Sequence, residues 1–423
     1  MNQPEWQTAL TDREILQGAL GLLPKPLADA IVKAAEEVAE GRLDRHFVVD
    51  VFQTGSGTSS NMNANEVIAK RANELLTGAR HPGEPVHPND HVNRGQSSND
   101  VFPTAIHVAA LLALRHSLLP ALDKLQSELT RKAEAFHEVL KIGRTHLQDA
   151  TPIRLGQEFS GYARMIERNR QRLQEVIPVL EEVALGGTAV GTGINTHPQF
   201  AALALAEINA RTGLQTRPAP NYFEALGCRH GVVATSGVLR TLATDLMKIA
   251  NDFRLLSSGP RCGLAEIVLP SLQPGSSIMP GKVNPVLAES LCQVAAQVIG
   301  NDVTIAIAGQ SGLLELNVMM PLMADNLLES IRLLANGVDL FAEHCVAGTT
   351  ANRARCGQFI EQSLALTTAL VPALGYEAAA HVAQVAAAQG VTVREAARRE
   401  TKLDEKQLDQ MLDAEQMVSA HGK

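Results

Sequence analysis

Residues 111–129 read LLALRHSLLPALDKLQSEL. Leucine recurs in this stretch at spacings of three and four residues, at positions 111, 114, 118, 122, 125 and 129. Side chains with this spacing share one face of an α-helix, so the pattern predicts a helix with one buried side. Pro120 lies inside the pattern, and we expect it to bend the helix rather than end it.

Three further long helices are predicted between polar, glycine-rich loops. They cover about residues 151–184, 229–258 and 285–345. The first is expected to start at Thr151 and to carry Pro178, and a shorter helix over about residues 27–40 is expected to end at Gly41. Because alternating strand patterns are almost absent, the chain is predicted to be mostly α, with a helical bundle. Short helices and turns after about residue 352 predict a small C-terminal domain.

Composition excludes several classes of protein. Aromatic residues make up only 3% of the 423 residues, which argues against stacking platforms for single-stranded nucleic acid, and the net charge of −8 argues against a field that attracts it. The five cysteines show no Cys-x-x-Cys spacing, so we predict reduced thiols, no metal and no cofactor. We find no membrane-length apolar run and no N-terminal targeting pattern, so we expect no membrane segment and a cytoplasmic location.

A second stretch concentrates the polar chemistry. Residues 275–285 read Gly-Ser-Ser-Ile-Met-Pro-Gly-Lys-Val-Asn-Pro. Asn284 followed by Pro285 is typical of a helix start, with Asn284 as N-cap and Pro285 in the first turn. A glycine-containing loop that leads into a helix N-terminus, with Lys282 beside it, favours an anion-binding site. Taken alone, the glycine and proline content also fits an ordinary surface turn.

Other polar segments have two interpretations each. Residues 54–61 and 97–100 are rich in hydroxyl and amide groups, which suit either helix capping or ligand binding. His146 lies in a loop predicted to join two helices, where a single histidine is usually solvated. His87 and His91 are four residues apart, but Pro88 disturbs helical spacing and no third ligand is evident, so a metal there is not expected.

The eleven-residue stretch resembles the signature loop of the fumarase/aspartase superfamily, and its Gly-Lys-Val-Asn-Pro ending resembles the class II fumarases. Five earlier segments resemble the same family and occur in the same order as in that family, at residues 54–65, 87–103, 143–157, 185–197 and 257–263. The resemblance implies a mostly α, three-domain protomer with a long central helical bundle. Its domains would be a shortened N-terminal domain at 1–96, the central bundle at 97–351 and a C-terminal domain at 352–423. It also implies a homotetramer with a twenty-helix core and active sites shared between three chains.

The same resemblance implies an activity and residue roles. The activity is the metal-independent, reversible trans addition of water to fumarate, a small dicarboxylate, giving malate through an aci-carboxylate, as in the tricarboxylic acid cycle. Ser276 corresponds to the proton-abstracting base, His146 with Glu289 to the pair that handles water, and Lys282 with Asn284 to groups that stabilise the intermediate. The implied substrate contacts are Ser56, Gly57, Thr58, Ser97, Ser98, Asn99, Thr145, Ser277, Lys282, Val283 and Asn284. A secondary anion site is implied at His87, Pro88, Asn89 and Asp90.

Four departures from the family pattern stand out. The N-terminal segment is shorter, Glu84 stands where a basic residue is usual, Tyr222 stands where lysine is common, and residues 313–320 are less polar than in the family. An aspartate ammonia-lyase is the first alternative, although such enzymes resemble this chain with glutamine at the position of His146. A non-catalytic relative, like those recruited as lens crystallins, is the second, and the presence of the implied catalytic residues argues against it.

Overall fold

The computed structural model describes residues 21–78 and 85–418, and the chain in this part is mostly helical. Its α-helices are α1 (Lys25–Ala39), α2 (Thr58–Thr77), α3 (Ser98–Ala113), α4 (Leu119–Ala135), α5 (Leu155–Leu180), α6 (Phe200–Thr212), α7 (Tyr222–Gly227), α8 (His230–Leu256), α9 (Val286–Gly309), α10 (Met320–Phe341), α11 (Arg353–Gln362), α12 (Val371–Leu374), α13 (Tyr376–Gln389), α14 (Val393–Glu400), α15 (Glu405–Met411) and α16 (Ala414–Val418). The strands are β1 (Leu140–Thr145), β2 (Gln148–Arg154), β3 (Glu182–Val183), β4 (Arg217–Pro218), β5 (Ile267–Val268), β6 (Gly312–Leu313), β7 (Leu316–Asn317) and β8 (Thr350–Ala351). In the described part of the chain these strands form four two-stranded sheets, of which β3–β4 is parallel and the other three are antiparallel.

The chain packs as two compact units, each built from three separate stretches of sequence. The first unit contains the described residues up to Ala121 together with Arg168–Thr244 and Gln293–Asn336. The second contains Leu122–Glu167, Asp245–Cys292 and the described residues from Gly337 to Val418. The division into domains at 1–96, 97–351 and 352–423 is a different partition and stays a prediction.

The leucine-rich stretch forms the helix that its spacing predicts. Its six periodic leucines are at most 2% exposed: Leu111, Leu114, Leu118, Leu122, Leu125 and Leu129. A five-residue π-turn, Leu114–Leu118, connects α3 to α4, and the Leu119 N–H bonds to the carbonyl of Leu114. The wider turn comes just before Pro120, whose ring cannot fit against the carbonyl four residues earlier in a regular helix. The helix therefore continues through the proline, as predicted.

Two other predicted helices have the expected bounds. Helix α1 ends at Ala39, with Glu40 as C-cap and Gly41 at φ 75°, the left-handed conformation that glycine adopts without steric cost. Helix α8 covers most of the predicted range 229–258.

The predicted helix start at Thr151 is wrong. Thr151 and Pro152 lie in β2, which pairs antiparallel with β1, and helix α5 begins only at Leu155. A threonine–proline pair suits a strand end as well as a helix start, because proline fixes φ at a value that both accept. Pro178 does lie inside α5, as expected.

The single helix predicted from Pro285 toward Cys345 is also wrong. It is two helices, α9 and α10, separated by the small β6–β7 hairpin. Asn317, which is fully buried, holds this break in place: its side-chain amide donates to the carbonyl of Ala308 at 2.9 Å, and its carbonyl oxygen accepts the N–H of Met319 at 2.9 Å.

Each unit has its own hydrophobic core. In the second unit, the rings of Phe159, Phe253 and Phe341 are fully buried and contact one another at tilted or edge-to-face angles, with successive centroids 5.4 and 5.2 Å apart. A separate cluster packs the C-terminal helices of that unit around Leu370 and Leu408. These cores fix the ends of the helices from which the polar loops emerge.

Two helical stretches in the described part are long and apolar enough to cross a bilayer by length and composition alone. In Ser98–Ala135, 67% of the apolar window is buried within the protein, as in the core helix of a globular protein. In Val286–Gly309 only 39% is buried, and Val303 and Ile307 are more than half exposed. Helix α9 thus presents an apolar face that residues 21–78 and 85–418 leave partly uncovered.

Candidate active site

Three hydroxyl groups of the first unit form a hydrogen-bonded row. The Ser56 and Thr58 hydroxyl oxygens are 2.7 Å apart, and the Thr58 and Ser98 hydroxyl oxygens are also 2.7 Å apart. Thr58 is the first residue of α2 and Ser98 is the first residue of α3. Both helices therefore direct their positive N-terminal ends toward the same hydroxyls, an arrangement that suits a carboxylate.

Glycine is required at the start of α2. Gly57 has φ 76°, and a Cβ atom at this position would lie 2.3 Å from the Phe102 ring. At Gly55 a Cβ atom would lie 1.6 Å from the Val318 carbonyl oxygen. No other residue fits so close a backbone approach, so these glycines set the direction in which the row of hydroxyls points.

A buried carboxylate holds the start of α3 in place. Ser97 is the N-cap and forms a capping box with Asp100, whose Oδ1 accepts the Ser97 N–H at 3.1 Å. The other oxygen of Asp100 accepts the N–H groups of Gly186 and Thr188 at 3.0 and 2.9 Å. Burial raises the pKa of Asp100, while these N–H groups oppose that shift. Asp100 thus connects the hydroxyl-bearing helix to the glycine-rich loop around Gly186.

Asn99 reinforces that connection. Its side-chain amide donates to the carbonyl oxygen of Ala189 at 2.8 Å. The glycine-rich residues 186–193 therefore serve to position Asn99 and Asp100. The Ser-x-x-Asp spacing of a capping box was the sequence signal for Asp100. Nothing in the sequence indicated its hydrogen bonds with Gly186 and Thr188, which lie 86 and 88 residues away.

The signature loop of the second unit surrounds Ser276 with backbone donors. The Ser276 hydroxyl oxygen accepts the N–H of Ile278 at 3.3 Å and the N–H of Met279 at 3.1 Å. Donors aimed at an oxygen stabilise negative charge on it, so this geometry favours the alkoxide form of serine more than an isolated hydroxyl would.

The loop is closed by its own backbone and by Asn284. The Gly275 N–H donates to the Lys282 carbonyl at 3.0 Å, and the Asn284 side-chain amide donates to the Gly275 carbonyl at 2.7 Å. A Cβ atom at Gly275 would lie 2.2 Å from the Lys282 oxygen, which explains the glycine. Gly275 and Ser276 therefore have a defined position, while the Lys282 side chain stays exposed.

The predicted capping at this helix is wrong in detail. Helix α9 begins at Val286, so Pro285 precedes its first turn, and the Asn284 side chain closes the loop instead of capping the helix. Glu289 lies in the first turn of α9 and is partly buried. Ser277 and Val283 are exposed on the outside of the loop.

His146 occupies the tip of a β-hairpin, not a connection between helices as predicted. Thr145 pairs with Gln148, so His146 and Leu147 form a two-residue turn between β1 and β2. Both have positive φ, 56° and 60°, as a type I′ turn requires. Neither is glycine or asparagine, so the turn holds two side chains in a strained conformation that projects His146 into solvent.

A buried ionic network supports the base of this hairpin. The Arg144 guanidinium lies 2.9 Å from the Glu266 carboxylate, and the Lys141 amine lies 3.0 Å from Glu266 and 2.9 Å from Glu158. Glu266 has no exposed surface, and Lys141 is 2% exposed. A carboxylate this deeply buried needs both cations, which fix the hairpin and hence the place of His146. Sequence reasoning did not identify Lys141 or Glu266, because their separation along the chain hides the contact.

Hydrogen bonds thus gather the implied site residues into two groups. Ser56, Thr58 and Ser98 form one, and the loop residues Gly275, Ser276, Lys282 and Asn284 form the other. Within residues 21–78 and 85–418, His146 makes no ion pair or hydrogen bond with Glu289.

The residues implied for a secondary anion site form a short π-turn, Pro88–Val92. The His87 ring nitrogen Nδ1 accepts the N–H groups of Asn89 and Asp90 at 3.3 and 3.2 Å. His91 in turn accepts the His87 N–H at 2.8 Å. His87, Asn89 and Asp90 are exposed, so the segment offers a small polar surface.

The structure also shows what some departures from the family pattern do. Tyr222 packs against the glycine-rich loop, because a Cβ atom at Gly186 would lie 2.9 Å from its hydroxyl. Burial raises the pKa of Tyr222, and the nearby Asp100 adds to that shift. Residues 312–317 form the β6–β7 hairpin, with Leu313 and Leu314 79% and 90% exposed. Glu84 lies outside the described residues.

Known proteins resemble this chain over most of its length. The family model described as lyase matches residues 10–300, and that of the fumarase C C-terminus matches residues 366–419. The class II fumarate hydratase of Nitrosomonas europaea is 53% identical over 94% of this chain and 86% of its own length. The crystal structure of the class II fumarase of Schistosoma mansoni superposes with a TM-score of 0.95 at 41% identity, over 99% of this chain and 91% of that one. The crystal structure of a fumarate lyase:delta crystallin from Brucella melitensis superposes with a TM-score of 0.92 at 48% identity. That superposition covers 98% of this chain and 90% of the other. The chain belongs to the class II fumarate hydratase family.

Proposed function

We infer that this chain catalyses the reversible addition of water to fumarate, giving malate, a step of the tricarboxylic acid cycle. Beyond membership of the family, the observation that carries this proposal is the Ser276 hydroxyl oxygen, which accepts two backbone N–H groups in the signature loop. A serine that removes a proton from carbon must carry negative charge, and these donors supply part of its stabilisation.

The proton at C3 of malate is hard to remove, because the carboxylate next to that carbon is already negative. The aci-carboxylate that results carries additional charge and needs positive groups and N–H donors as it forms. We assign this role to Lys282, whose amine is exposed, and to Asn284. The Asn284 amide has a second hydrogen besides the one bonded to Gly275, so it can hold the loop and still donate to a substrate oxygen.

We assign substrate-carboxylate binding to the row Ser56, Thr58 and Ser98, with Ser97, Asn99, Thr145 and the Gly57 backbone as further contacts. The support is the meeting of two helix N-termini at the Thr58 and Ser98 hydroxyls, since both helix dipoles and all three hydroxyls favour an anion. Ser277 and Val283 are proposed contacts from the signature loop.

Water addition and removal are assigned to His146 with Glu289 as its partner. A neutral imidazole accepts the proton of the attacking water, and a carboxylate partner orients the ring and raises its basicity. Because no ion pair joins the two residues within the described part of one chain, we propose that Glu289 comes from another subunit.

An oligomer with shared sites follows from that proposal, and we propose the homotetramer that the family resemblance implies. The exposed apolar face of α9, with Val303 and Ile307, supports it, because an apolar helix face of this kind is usually covered by another chain. We further propose a cytoplasmic location, supported by five cysteines that are all free, and a secondary anion site at His87, Asn89 and Asp90.

One assay separates the proposed reaction from its nearest alternative. Fumarate absorbance is followed after malate, and in a parallel sample aspartate, is added to the purified protein. We expect fumarate to form from malate and not from aspartate. Formation from aspartate alone would refute the proposal in favour of an ammonia-lyase, and formation from neither would favour a non-catalytic relative.

A further inference from the structure

Three metal-ligating side chains of different chemistry meet at the junction of α7 and α8, and none has a role in the proposed reaction. Glu224, Cys228 and His230 each offer one ligand atom, and these three atoms lie within 4.8 Å of one another. Among the described residues, no other group of three such side chains comes this close. His87 and His91, by contrast, have no third ligand beside them.

The backbone holds the three residues in a fixed relationship. Asn221 caps α7 by accepting the N–H groups of Phe223 and Glu224, and the Cys228 N–H bonds to the Glu224 carbonyl at 2.8 Å. His230 is the first residue of α8. Glu224 and Cys228 are therefore separated by one helical turn and joined by a backbone hydrogen bond, and His230 is held by the next helix. The backbone of all three residues is thus already ordered before any ion binds.

The three ligand atoms can surround a small tetrahedral ion after modest side-chain rotations. The His230 Nδ1 atom lies 2.7 Å from the Glu224 carboxylate. Metal–ligand bonds of about 2.0–2.3 Å in a tetrahedron separate the ligand atoms by about 3.3–3.7 Å. Closing the group around an ion thus requires the His230–Glu224 pair to open and the Cys228 sulfur to approach, shifts that exposed side chains make by rotation.

The charges also balance. A Cys228 thiolate and a Glu224 carboxylate together neutralise a divalent ion.

We propose that Glu224, Cys228 and His230 form a binding site for one divalent ion of the zinc class, with water as the fourth ligand. Sulfur, imidazole and carboxylate ligands in a tetrahedral arrangement select Zn²⁺, or Co²⁺ as its spectroscopic substitute, over Mg²⁺ and Ca²⁺. Binding replaces the proton of the Cys228 thiol, which passes to solvent, so affinity falls as pH falls. The site is independent of the residues assigned to fumarate hydration.

Cobalt titration of the reduced, chelator-treated full-length protein tests the proposal. We expect one Co²⁺ per chain, a thiolate-to-cobalt charge-transfer band in the near ultraviolet, and loss of that band when Zn²⁺ is added. Cys228→Ser should abolish the band, and His230→Ala and Glu224→Gln should each weaken Co²⁺ binding at least about 10-fold. Wild-type protein without the band, or a band that persists in Cys228→Ser, would overturn the assignment.

Matched controls use groups of the same chemistry elsewhere. Cys262 is also an exposed free thiol, and His381 pairs with Glu400 at 3.1 Å but belongs to no group of three possible metal ligands among the described residues. Cys262→Ser and His381→Asn should bind Co²⁺ as the wild type does. A second measurement needs no variant: Zn²⁺ should protect Cys228 from alkylation while Cys262 still reacts, as peptide mapping shows. Equal reactivity of both thiols with and without Zn²⁺ would also contradict the proposal.

Discussion

Thr58 and Ser98 are the first residues of two different helices, and their hydroxyl oxygens lie 2.7 Å apart although 40 residues separate them in sequence. Each hydroxyl stands at the positive end of a helix. The contact therefore converts two ordinary helix starts into one surface for an anion. The Ser56 hydroxyl extends this row of hydroxyls. The buried Asp100 side chain holds the start of α3 against the backbone of Gly186 and Thr188.

Thr58→Val tests this surface, because valine keeps the shape of threonine and removes the central hydroxyl. We expect KM for malate to rise by about 10-fold or more, since a hydrogen bond to a charged group contributes about 1.5–3 kcal/mol, with a smaller change in kcat. Thr77→Val is the control, because Thr77 lies in the last turn of the same helix and is exposed. Steady-state kinetics that show equal KM values for the two variants would remove Thr58 from the binding site.

Ser276→Ala removes the proposed base and leaves Lys282 in place. Its kcat should fall by about 10²-fold or more, the usual contribution of a positioned general base, while KM changes little. Ser271→Ala, at an exposed position ahead of the same loop, should keep full activity. Because the Ser276 hydroxyl also orders two N–H groups, melting temperature and oligomer size are measured for both variants. A folded Ser276→Ala enzyme with near-normal kcat would show that another residue is the base.

Side-chain periodicity made the helices predictable. The six leucines of residues 111–129 fixed a buried face, and all six are buried. The β1–β2 hairpin was missed because its turn uses His146 and Leu147 at positive φ, where a sequence normally shows glycine or asparagine. The break between α9 and α10 was missed because Leu313 and Leu314 continue the apolar pattern of the helices, although they are exposed in the hairpin.

The site was only partly predictable for a similar reason. Motifs nominated Ser276, His146 and the hydroxyl residues, because each lies in a short, distinctive segment. Contacts across long separations, such as that of Glu266 with Arg144 over 122 residues, carry no local pattern. The groups that support the site therefore became visible only in the fold.

Glu266→Gln tests the support of the His146 hairpin. The substitution keeps the shape but removes the negative charge between Arg144 and Lys141, leaving buried cations without full compensation. Breaking a buried ion pair costs about 3–5 kcal/mol, so we expect a clear fall in melting temperature and a lower kcat. Glu138→Gln, at a side chain that is 74% exposed, should change stability by less than about 0.5 kcal/mol. Equal melting temperatures would show that the network does not hold the hairpin.

His107 predicts a pH dependence of stability. Burial, with a smaller contribution from the Arg229 charge, lowers the pKa of His107 to about 4, whereas an unfolded histidine titrates near about 6.5. Between these values the unfolded chain binds a proton that the folded chain does not. Stability should therefore fall by up to roughly 3 kcal/mol as pH drops through this window.

The comparison with His107→Asn isolates that contribution. Asparagine can still donate to the carbonyls of Leu180 and Glu182, which the His107 ring nitrogen contacts at 3.0 Å, but it does not titrate. The difference in melting temperature between wild type and variant should narrow as pH falls from about 7 to about 4.5. His381→Asn, at an exposed histidine, is the control for the substitution itself. A difference for His107→Asn that stays constant with pH would mean that burial does not shift the pKa of His107.

Mixing two inactive variants tests whether subunits share each site. Ser276→Ala and His146→Asn should each have low activity, because one lacks the base and the other lacks the group that handles water. If these residues reach one site from different chains, a mixed tetramer contains sites with both wild-type residues. With random assembly this holds for about a quarter of the sites. Co-refolding the variants in equal amounts should therefore restore about a quarter of wild-type activity.

The control is each variant refolded alone, which should stay inactive at the same protein concentration. A double variant that carries both substitutions, refolded with wild type, corrects for effects of mixing on assembly. Each variant chain carries only one of the two wild-type residues. Activity recovered on mixing can therefore come only from sites in which Ser276 of one chain and His146 of another lie together. Mixed tetramers that form, as shown by a mass tag on one variant, and yet remain inactive would place His146 and Ser276 of each site on the same chain.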